Sequence, residues 1–535
     1  MDSFNELEIP DTGRPEAEWL ADCGRSVWRA IESAQPDGIW VIQGWTFGYK
    51  NWSRENLAAL FNAVPDDRLL VLDYANDYAN CWGKYNDERG AFHGKTWVFG
   101  YVPNMGGKTA FTGNLDFYAR ASAEALASDK RGRLVGFTIS GEGLENNEAL
   151  YELLADMAWS RDPIALDPWF ERYSRNRYGA CPPAIAESWR VLQKGCYGNL
   201  KPHPGFRWQH MGQIDRNPNF LASASLFLSA ADDLNTSPLY RADAVERAAL
   251  ALSLKADEWY DLALRSHAEG STDLFEQAAA RSLELLTRVD LLMEAHPCHR
   301  MDRWIAFARA HGVTDQENNA YEANARKIVT YWAAGVQNYS CRVWGGLVRD
   351  YYREWLWREF DALRSGKTFD ANAFMLEYVR GSGTSPFTPS ADPLADAASW
   401  LRQAMAETLP DLPTGGEVVG RWSPDVVGPE WKVLEWPLSG VDPRAISSVM
   451  FQYTGGHHRL EMRRVAIVAD GREVAECSHD GHAGTPNLRH IYPVGVPADT
   501  AGNNAWILRA DVRIGGPGTD SRGTVLVRLK NGGAR

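Results

Sequence analysis

Four short apolar runs decide what the first part of this chain can fold into: Gly38-Ile39-Trp40-Val41-Ile42-Gln43, Arg68-Leu69-Leu70-Val71-Leu72-Asp73, Thr96-Trp97-Val98-Phe99-Gly100-Tyr101 and Leu134-Val135-Gly136-Phe137-Thr138-Ile139. They recur about every 30 residues, with helical or loop segments between them. Continuous apolar runs at that spacing predict buried parallel strands joined by crossovers. Each run ends in polar or aromatic residues: Gly44-Trp45, Asp73-Tyr74, Pro103-Asn104 and Gly141-Glu142. In α/β barrels the carboxyl ends of the strands carry the chemistry, so a site is expected there.

The pattern changes twice further on. From 161 to 410 the apolar residues follow a 3.6-residue period, as in Leu285, Leu286, Val289, Leu292 and Met293, with Asp273 and Glu276 at the start of that helix. This predicts an all-α domain, closed by the Pro/Gly-rich linker Leu409-Pro410-Asp411-Leu412-Pro413-Thr414-Gly415-Gly416. Beyond it the period becomes two, as in Leu460-Glu461-Met462-Arg463-Arg464-Val465-Ala466-Ile467, followed by the hairpin dipeptide Asp470-Gly471. Runs at 506–510 and 524–528 complete a predicted β-sandwich over 417–535. The organisation is therefore α/β over 1–160, all-α over 161–410 and all-β over 417–535.

Composition removes several functions. A chain of 535 residues holds about three or four domains of ~150 residues, and 44% apolar with 23% charged residues is a globular composition. Lys plus Arg is 56 against 69 for Asp plus Glu, a net charge of −13 with no basic block, so no nucleic-acid partner is expected. No apolar stretch approaches the ~20 residues that span a bilayer, so no membrane insertion is expected. The first residues, Met1-Asp2-Ser3-Phe4-Asn5-Glu6, lack the features of a signal peptide. The seven cysteines are scattered without a CxxC pair, which indicates neither a disulfide framework nor a zinc ribbon. The 22 tryptophans suit sugar faces as well as cores.

Two carboxylates stand out. Glu6 lies in Phe4-Asn5-Glu6, and Glu142 lies in Ser140-Gly141-Glu142-Gly143 at the end of the fourth run. Small neighbours let a backbone approach a ligand; the plainer reading of a strand-end Glu is a cap on the next helix. Two such groups amid Trp45, Tyr74 and Trp332 make the minimum kit for glycoside hydrolysis, in which one carboxyl protonates the leaving oxygen and the other attacks carbon or activates water. Asn104-Met105-Gly106-Gly107-Lys108-Thr109 ends like a phosphate-binding loop, but the first glycine of that motif would fall on Val102. It reads instead as a strand-end loop near the substrate. His296-Pro297-Cys298-His299 and His479-Asp480-Gly481-His482 crowd their ligands into four residues each and read as a helix-end loop and a hairpin loop rather than metal sites. Neither a dinucleotide fingerprint nor a G-x-S-x-G elbow is present.

At these residues the chain resembles the α-N-acetylglucosaminidases of glycoside hydrolase family 89. The resemblance runs from Asp2 to about residue 370 and includes 41–45, 69–73, Pro103-Asn104-Met105-Gly106-Gly107, Gly141-Glu142-Gly143-Leu144-Glu145-Asn146-Asn147-Glu148, Ser160-Arg161-Asp162-Pro163, Arg177-Tyr178-Gly179 and Tyr321-Glu322-Ala323-Asn324-Ala325-Arg326. It implies a (β/α)₈ barrel followed by an all-α domain that completes the pocket. It also implies Glu6 as general acid/base and Glu142 as nucleophile. Asn5, Trp45, Tyr74, Asn104 and Met105 are implied as substrate-binding, with Trp332 and Tyr339 as pocket-lining aromatics. Met105 stands where the human-type sequence has Phe. The sandwich is similar to accessory domains of bacterial glycosidases.

In the family the Asn-Glu motif lies midway through the barrel, whereas here it begins at residue 5. The expectation is thus the C-terminal part of a barrel, in a chain whose full-length form is extracytoplasmic. The function expected is retaining exo-hydrolysis of terminal α-linked N-acetylglucosamine, with a glycan as partner and no cofactor. The alternative is a truncated, inactive carbohydrate-binding protein. The oligomeric state is left open.

Overall fold

The structure is a computed structural model that describes residues 4, 8–49, 52–143, 145–201, 203–211, 218–268, 271–410, 416–456, 458–484, 488–497, 500, 505–515 and 520–529. The chain forms two compact units, Met1–Asp261 with Glu276–Leu409, and Leu262–Phe275 with Pro410–Arg535.

In the first unit the four apolar runs are strands: β1 (Trp40–Gln43), β2 (Leu69–Asp73), β3 (Thr96–Tyr101) and β4 (Arg133–Ile139). They form one parallel sheet in chain order, with Trp40 opposite Leu69, Leu70 opposite Thr96 and Phe99 opposite Phe137. The expected burial holds on one face along β1, β2 and most of β3 and fails for β4, the edge strand, which has no buried residue on either face. Trp40, Ile42, Leu69, Val71, Trp97 and Phe99 are buried, whereas Val41 is 42% and Val135 64% exposed. Successive strand residues point to opposite faces, so an unbroken apolar run does not by itself cover both. Between the strands, helix α1 (Glu16–Ala34) packs on α2 (Arg54–Asn62), which Ser53 starts by accepting the Asn56 N–H at 3.0 Å. The approach needs Gly24, because a Cβ there would lie 2.6 Å from the Leu60 carbonyl oxygen.

Helices follow: α3 (Glu148–Trp159), α4 (Leu166–Tyr178), α5 (Pro238–Ala268), α6 (Thr272–Glu294) and α7 (Asp315–Val329), with the end of α5 and the start of α6 in the second unit. The five residues that set the predicted period on α6 are all buried. Asp273 lies in its first turn, and Glu276 pairs with Arg364 at 2.8 Å. Helix α7 opens on a capping box, with Thr314 Oγ1 accepting the Glu317 N–H at 3.2 Å and Glu317 accepting the Thr314 N–H at 3.1 Å. His296 and His299 lie in the loop after α6, as predicted.

In the second unit, strands β5 (Glu417–Trp422), β6 (Lys432–Pro437), β7 (Ile446–Gly456), β8 (Arg459–Ala469), β9 (Arg472–Ala483), β10 (Arg489–Tyr492), β11 (Trp506–Gly515) and β12 (Ser521–Leu529) form two antiparallel sheets. Their orders are β6-β11-β8-β9 and β10-β7-β12-β5. The core includes Val449, Phe451, Val465, Ile467, Leu508 and Val525, as the period-two pattern requires. Asp470 and Gly471 both take positive φ, 48° and 80°, which is what a two-residue hairpin turn needs. One expectation fails: His479-Asp480-Gly481-His482 is not a hairpin loop but lies inside β9, where His482 pairs with Glu461. The linker is described only at its ends. No helix among the described residues is long and apolar enough to cross a membrane.

Candidate active site

The loops that follow β3 and β4 are stitched together by three asparagines. Asn104 donates through Nδ2 to Asn146 Oδ1 at 3.1 Å and to the Gly143 carbonyl at 3.3 Å, and its Oδ1 accepts from Asn147 Nδ2 at 3.0 Å. Asn146 donates to the Gly107 carbonyl at 3.3 Å, and Asn147 to that of Thr112 at 3.1 Å. All three side chains are buried, so every bond is made in a low-dielectric interior. Glycines make the close approach possible. Gly107 has φ +71°, and a Cβ on it would meet Arg342 Nη2 at 1.8 Å and the Glu142 carbonyl oxygen at 2.6 Å. A Cβ on Gly143 would lie 2.8 Å from the Gly107 Cα.

This frame presents Glu142 to solvent. Its Oε2 accepts the Gly106 N–H at 2.5 Å, and its own N–H donates to the Pro103 carbonyl at 3.3 Å. Helix α3 begins only at Glu148, behind Asn147, so Glu142 is not its cap. Behind the carboxylate, Tyr339 lies against Gly106, where a Cβ would be 2.7 Å from the ring. Lys108 is buried with its ammonium 3.9 Å from the Tyr339 ring centroid and 2.5 Å from the Met105 carbonyl oxygen. Burial lowers its pKa to about 8 and that of Arg342 to about 10.

Met105, on the other side of the same peptide, walls an open cleft together with Trp45, Asp77, Tyr78, Pro103, Asn104, Thr112 and Lys201. Trp45 and Tyr78 stack at 5.5 Å and 29°. Asp77 accepts the Tyr118 hydroxyl at 2.5 Å, and burial raises its pKa to about 6. Aromatic faces beside a carboxylate suit the C–H faces and hydroxyls of a sugar.

The structure thus brings Trp45, Asn104 and Met105 to one pocket and Glu142 and Tyr339 to the two sides of Gly106. Trp332 packs on Tyr339 with ring centroids 5.0 Å apart. Tyr74 is not among the pocket walls; its hydroxyl donates to Gln43 Oε1, tying the ends of β1 and β2. Asn5 and Glu6 lie outside the described residues. Sequence reading missed Asp77 and Tyr78, although they too follow an apolar run, and Arg342, which no local pattern marks. Among the described residues no group of three or more His, Cys, Asp or Glu is placed to hold a metal ion. His296 Nδ1 instead accepts the N–H groups of Cys298 and His299 at 3.2 and 3.1 Å.

A parallel β/α sheet with an accessible carboxylate held by a backbone amide at its carboxyl edge, next to an aromatic-walled pocket, is the layout of the barrel-type glycoside hydrolases. Family comparison narrows this. Residues 1–161 match the α-N-acetylglucosaminidase (NAGLU) tim-barrel domain and residues 169–399 its C-terminal domain. The chain belongs to the α-N-acetylglucosaminidase family, glycoside hydrolase family 89. It is 27% identical over 422 residues to the Homo sapiens α-N-acetylglucosaminidase, covering 73% of this chain and 55% of that protein. In fold it is similar to the family 89 glycoside hydrolase from Clostridium perfringens in complex with 2-acetamido-1,2-dideoxynojirmycin, with TM-score 0.65, 24% identity and coverage of 75% of this chain and 48% of the other. A substituted form of the Clostridium perfringens protein in complex with its substrate GlcNAc-α-1,4-galactose gives the same figures, TM-score 0.65 and 24% identity over 75% and 48% of the two chains. The chain spans about half the length of the relatives it matches.

Proposed function

We propose that this protein is a retaining exo-α-N-acetylglucosaminidase that removes terminal, non-reducing α-linked N-acetylglucosamine, with Glu142 as nucleophile and Glu6 as general acid/base. The observation that carries the reading is the accessible Glu142 carboxylate fixed by the Gly106 amide at 2.5 Å at the carboxyl edge of the sheet. Family membership supports it, as does the α-linked substrate borne by the Clostridium perfringens relative. In an α-glycoside of this sugar the 2-acetamido group lies on the leaving-group side and cannot attack from behind, so the protein must supply its own nucleophile. Glu142 attacks the anomeric carbon as Glu6 protonates the departing oxygen; Glu6 then deprotonates the water that releases the sugar. The pocket walled by Trp45, Asp77 and Met105 would hold the glycan.

The test is hydrolysis of a chromogenic α-N-acetylglucosaminide by the wild type and Glu142→Ala, with NMR of the first-formed anomer. Glu142→Ala should lose turnover while keeping its fold, and the wild type should release the α-anomer first. Turnover by Glu142→Ala within about tenfold of wild type, roughly 1.4 kcal/mol of barrier, removes the assignment. A β-anomer makes the enzyme inverting, and glycan binding without turnover makes it a binding protein.

A further inference from the structure

Lys108 takes no part in the reaction as written, yet its side chain is 1% exposed. Lysines are rarely so buried without partners. Its ammonium has two: the Met105 carbonyl oxygen at 2.5 Å and the face of Tyr339 at 3.9 Å. The Met105 carbonyl and the Gly106 N–H belong to one peptide unit, and that N–H donates to Glu142 Oε2 at 2.5 Å. One rigid plane therefore carries a cation on its oxygen and a carboxylate on its hydrogen.

We propose that Lys108 is a positioning residue that acts on Glu142 through the Met105–Gly106 peptide, orienting and polarising that amide so that its N–H holds the carboxylate in place. The physics is that of chained hydrogen bonds. A charge on the carbonyl draws electron density along the amide and strengthens its N–H as a donor, by about 10–30% per bond. Both terminal partners are ionised, which adds charge assistance. A peptide is planar, so fixing its oxygen fixes the direction of its N–H. Gly106, at φ +72° under the Tyr339 ring, allows the plane to turn this way without a Cβ clash. The inference rests on the reading of Glu142 as the nucleophile.

The device is titratable. Glu142 favours the charge of the ammonium and Arg342 opposes it; burial raises the Cys341 thiol to about 12, so it stays neutral where Lys108 titrates, and His203 lies on the same Tyr339 ring at 5.4 Å. Burial outweighs the favourable neighbour and brings Lys108 to about 8. The cation is therefore present below that pH and lost as pH rises through it, taking the polarisation of the amide with it.

The amide can be watched directly. Met-Gly occurs only at Met105-Gly106 and Met211-Gly212, so a sample labelled with carbonyl-¹³C methionine and ¹⁵N glycine isolates two amide signals, which Met211→Leu assigns. The Gly106 signal of the wild type should shift through about pH 8, the value burial gives Lys108. In Lys108→Met it should be static and lie upfield, whereas in Glu142→Gln, which keeps the ammonium on the Met105 carbonyl, it should lie upfield and still titrate. With the chromogenic glucosaminide, Lys108→Met should lower kcat at least about tenfold while KM changes less than about threefold, and the alkaline limb of the kcat profile should lose the Lys108 ionisation and keep only that of the general acid. A wild-type Gly106 signal that stays fixed through that range overturns the proposal, as does a Lys108→Met enzyme whose kcat profile is superimposable in shape on that of the wild type. The wild-type titration needs no substitution to fold. A protein that hydrolyses nothing fails the functional reading alone, since the amide titration still decides the relay.

Discussion

Gly107 is held in place by collision as well as by backbone strain. A Cβ there meets a backbone oxygen of Glu142 and the Arg342 guanidinium, at a φ of +71°. Gly335 has a comparable φ of +83° with nothing within 4 Å of its Cβ position. The pair separates backbone strain from collision. Gly335→Ala should cost about 1 kcal/mol in urea unfolding, whereas Gly107→Ala should cost a further ~1–3 kcal/mol and lower kcat by displacing Glu142. Equal costs would mean that Arg342 and the loop simply move aside. Asp73 gives a second residue-scale outcome. Complete burial raises its pKa to about 8, so the folded state keeps a proton that the unfolded state has lost. Folded stability therefore falls as pH rises from about 4 towards 8. The melting temperature of Asp73→Asn relative to wild type should rise across that window, and an offset independent of pH would refute the assignment. Both glycines of the loop were legible as a strand-end motif; Arg342 was not, because a contact between distant segments leaves no local pattern.

At the scale of elements, Arg177-Tyr178-Gly179 shows what a sequence motif can hide. Gly179, at φ +91°, ends α4 with its N–H on the Arg175 carbonyl at 3.0 Å. The two residues before it converge on Asp243 of α5: Arg177 is bidentate at 2.8 and 2.7 Å, and the Tyr178 hydroxyl donates at 2.7 Å. The motif is thus a helix stop and a clamp, and the resemblance that revealed it said nothing of this purpose. Asp243→Ala should destabilise by about 3–5 kcal/mol, because it strands a half-buried guanidinium and a buried hydroxyl. Chemical unfolding measures it, and a loss below about 1 kcal/mol would mean that Glu148, 3.5 Å from Arg177, takes over the charge. The strands and α6 were readable because period and composition agreed there. His479-Asp480-Gly481-His482 was misread because Asp-Gly is turn chemistry out of context, while the register of β9 on β8 decides it.

For the whole molecule, periodicity divided the chain into three regions, yet packing gathers it into two units whose boundaries cut through α5 and α6. A 3.6-residue period reports a helix and its buried stripe, not which core that stripe enters. Leu262–Phe275, which takes in the end of α5 and the start of α6, belongs with the sandwich, and the Arg489 guanidinium donates to the Ala268 carbonyl within that unit. Every described residue assigned to the reaction lies in the other unit. A chain ending at Leu409 would therefore keep the residues proposed to react but leave 262–275 without the unit it packs in. Its melting temperature in calorimetry should fall by several degrees, about what 1–2 kcal/mol does in a domain of this size. The kcat of the surviving folded fraction should stay within about threefold of the intact chain, under 1 kcal/mol of barrier. Full thermal stability would show that 262–275 holds itself together without the sandwich, and a large loss of kcat in fully folded protein would overturn the placing of the reaction in the first unit.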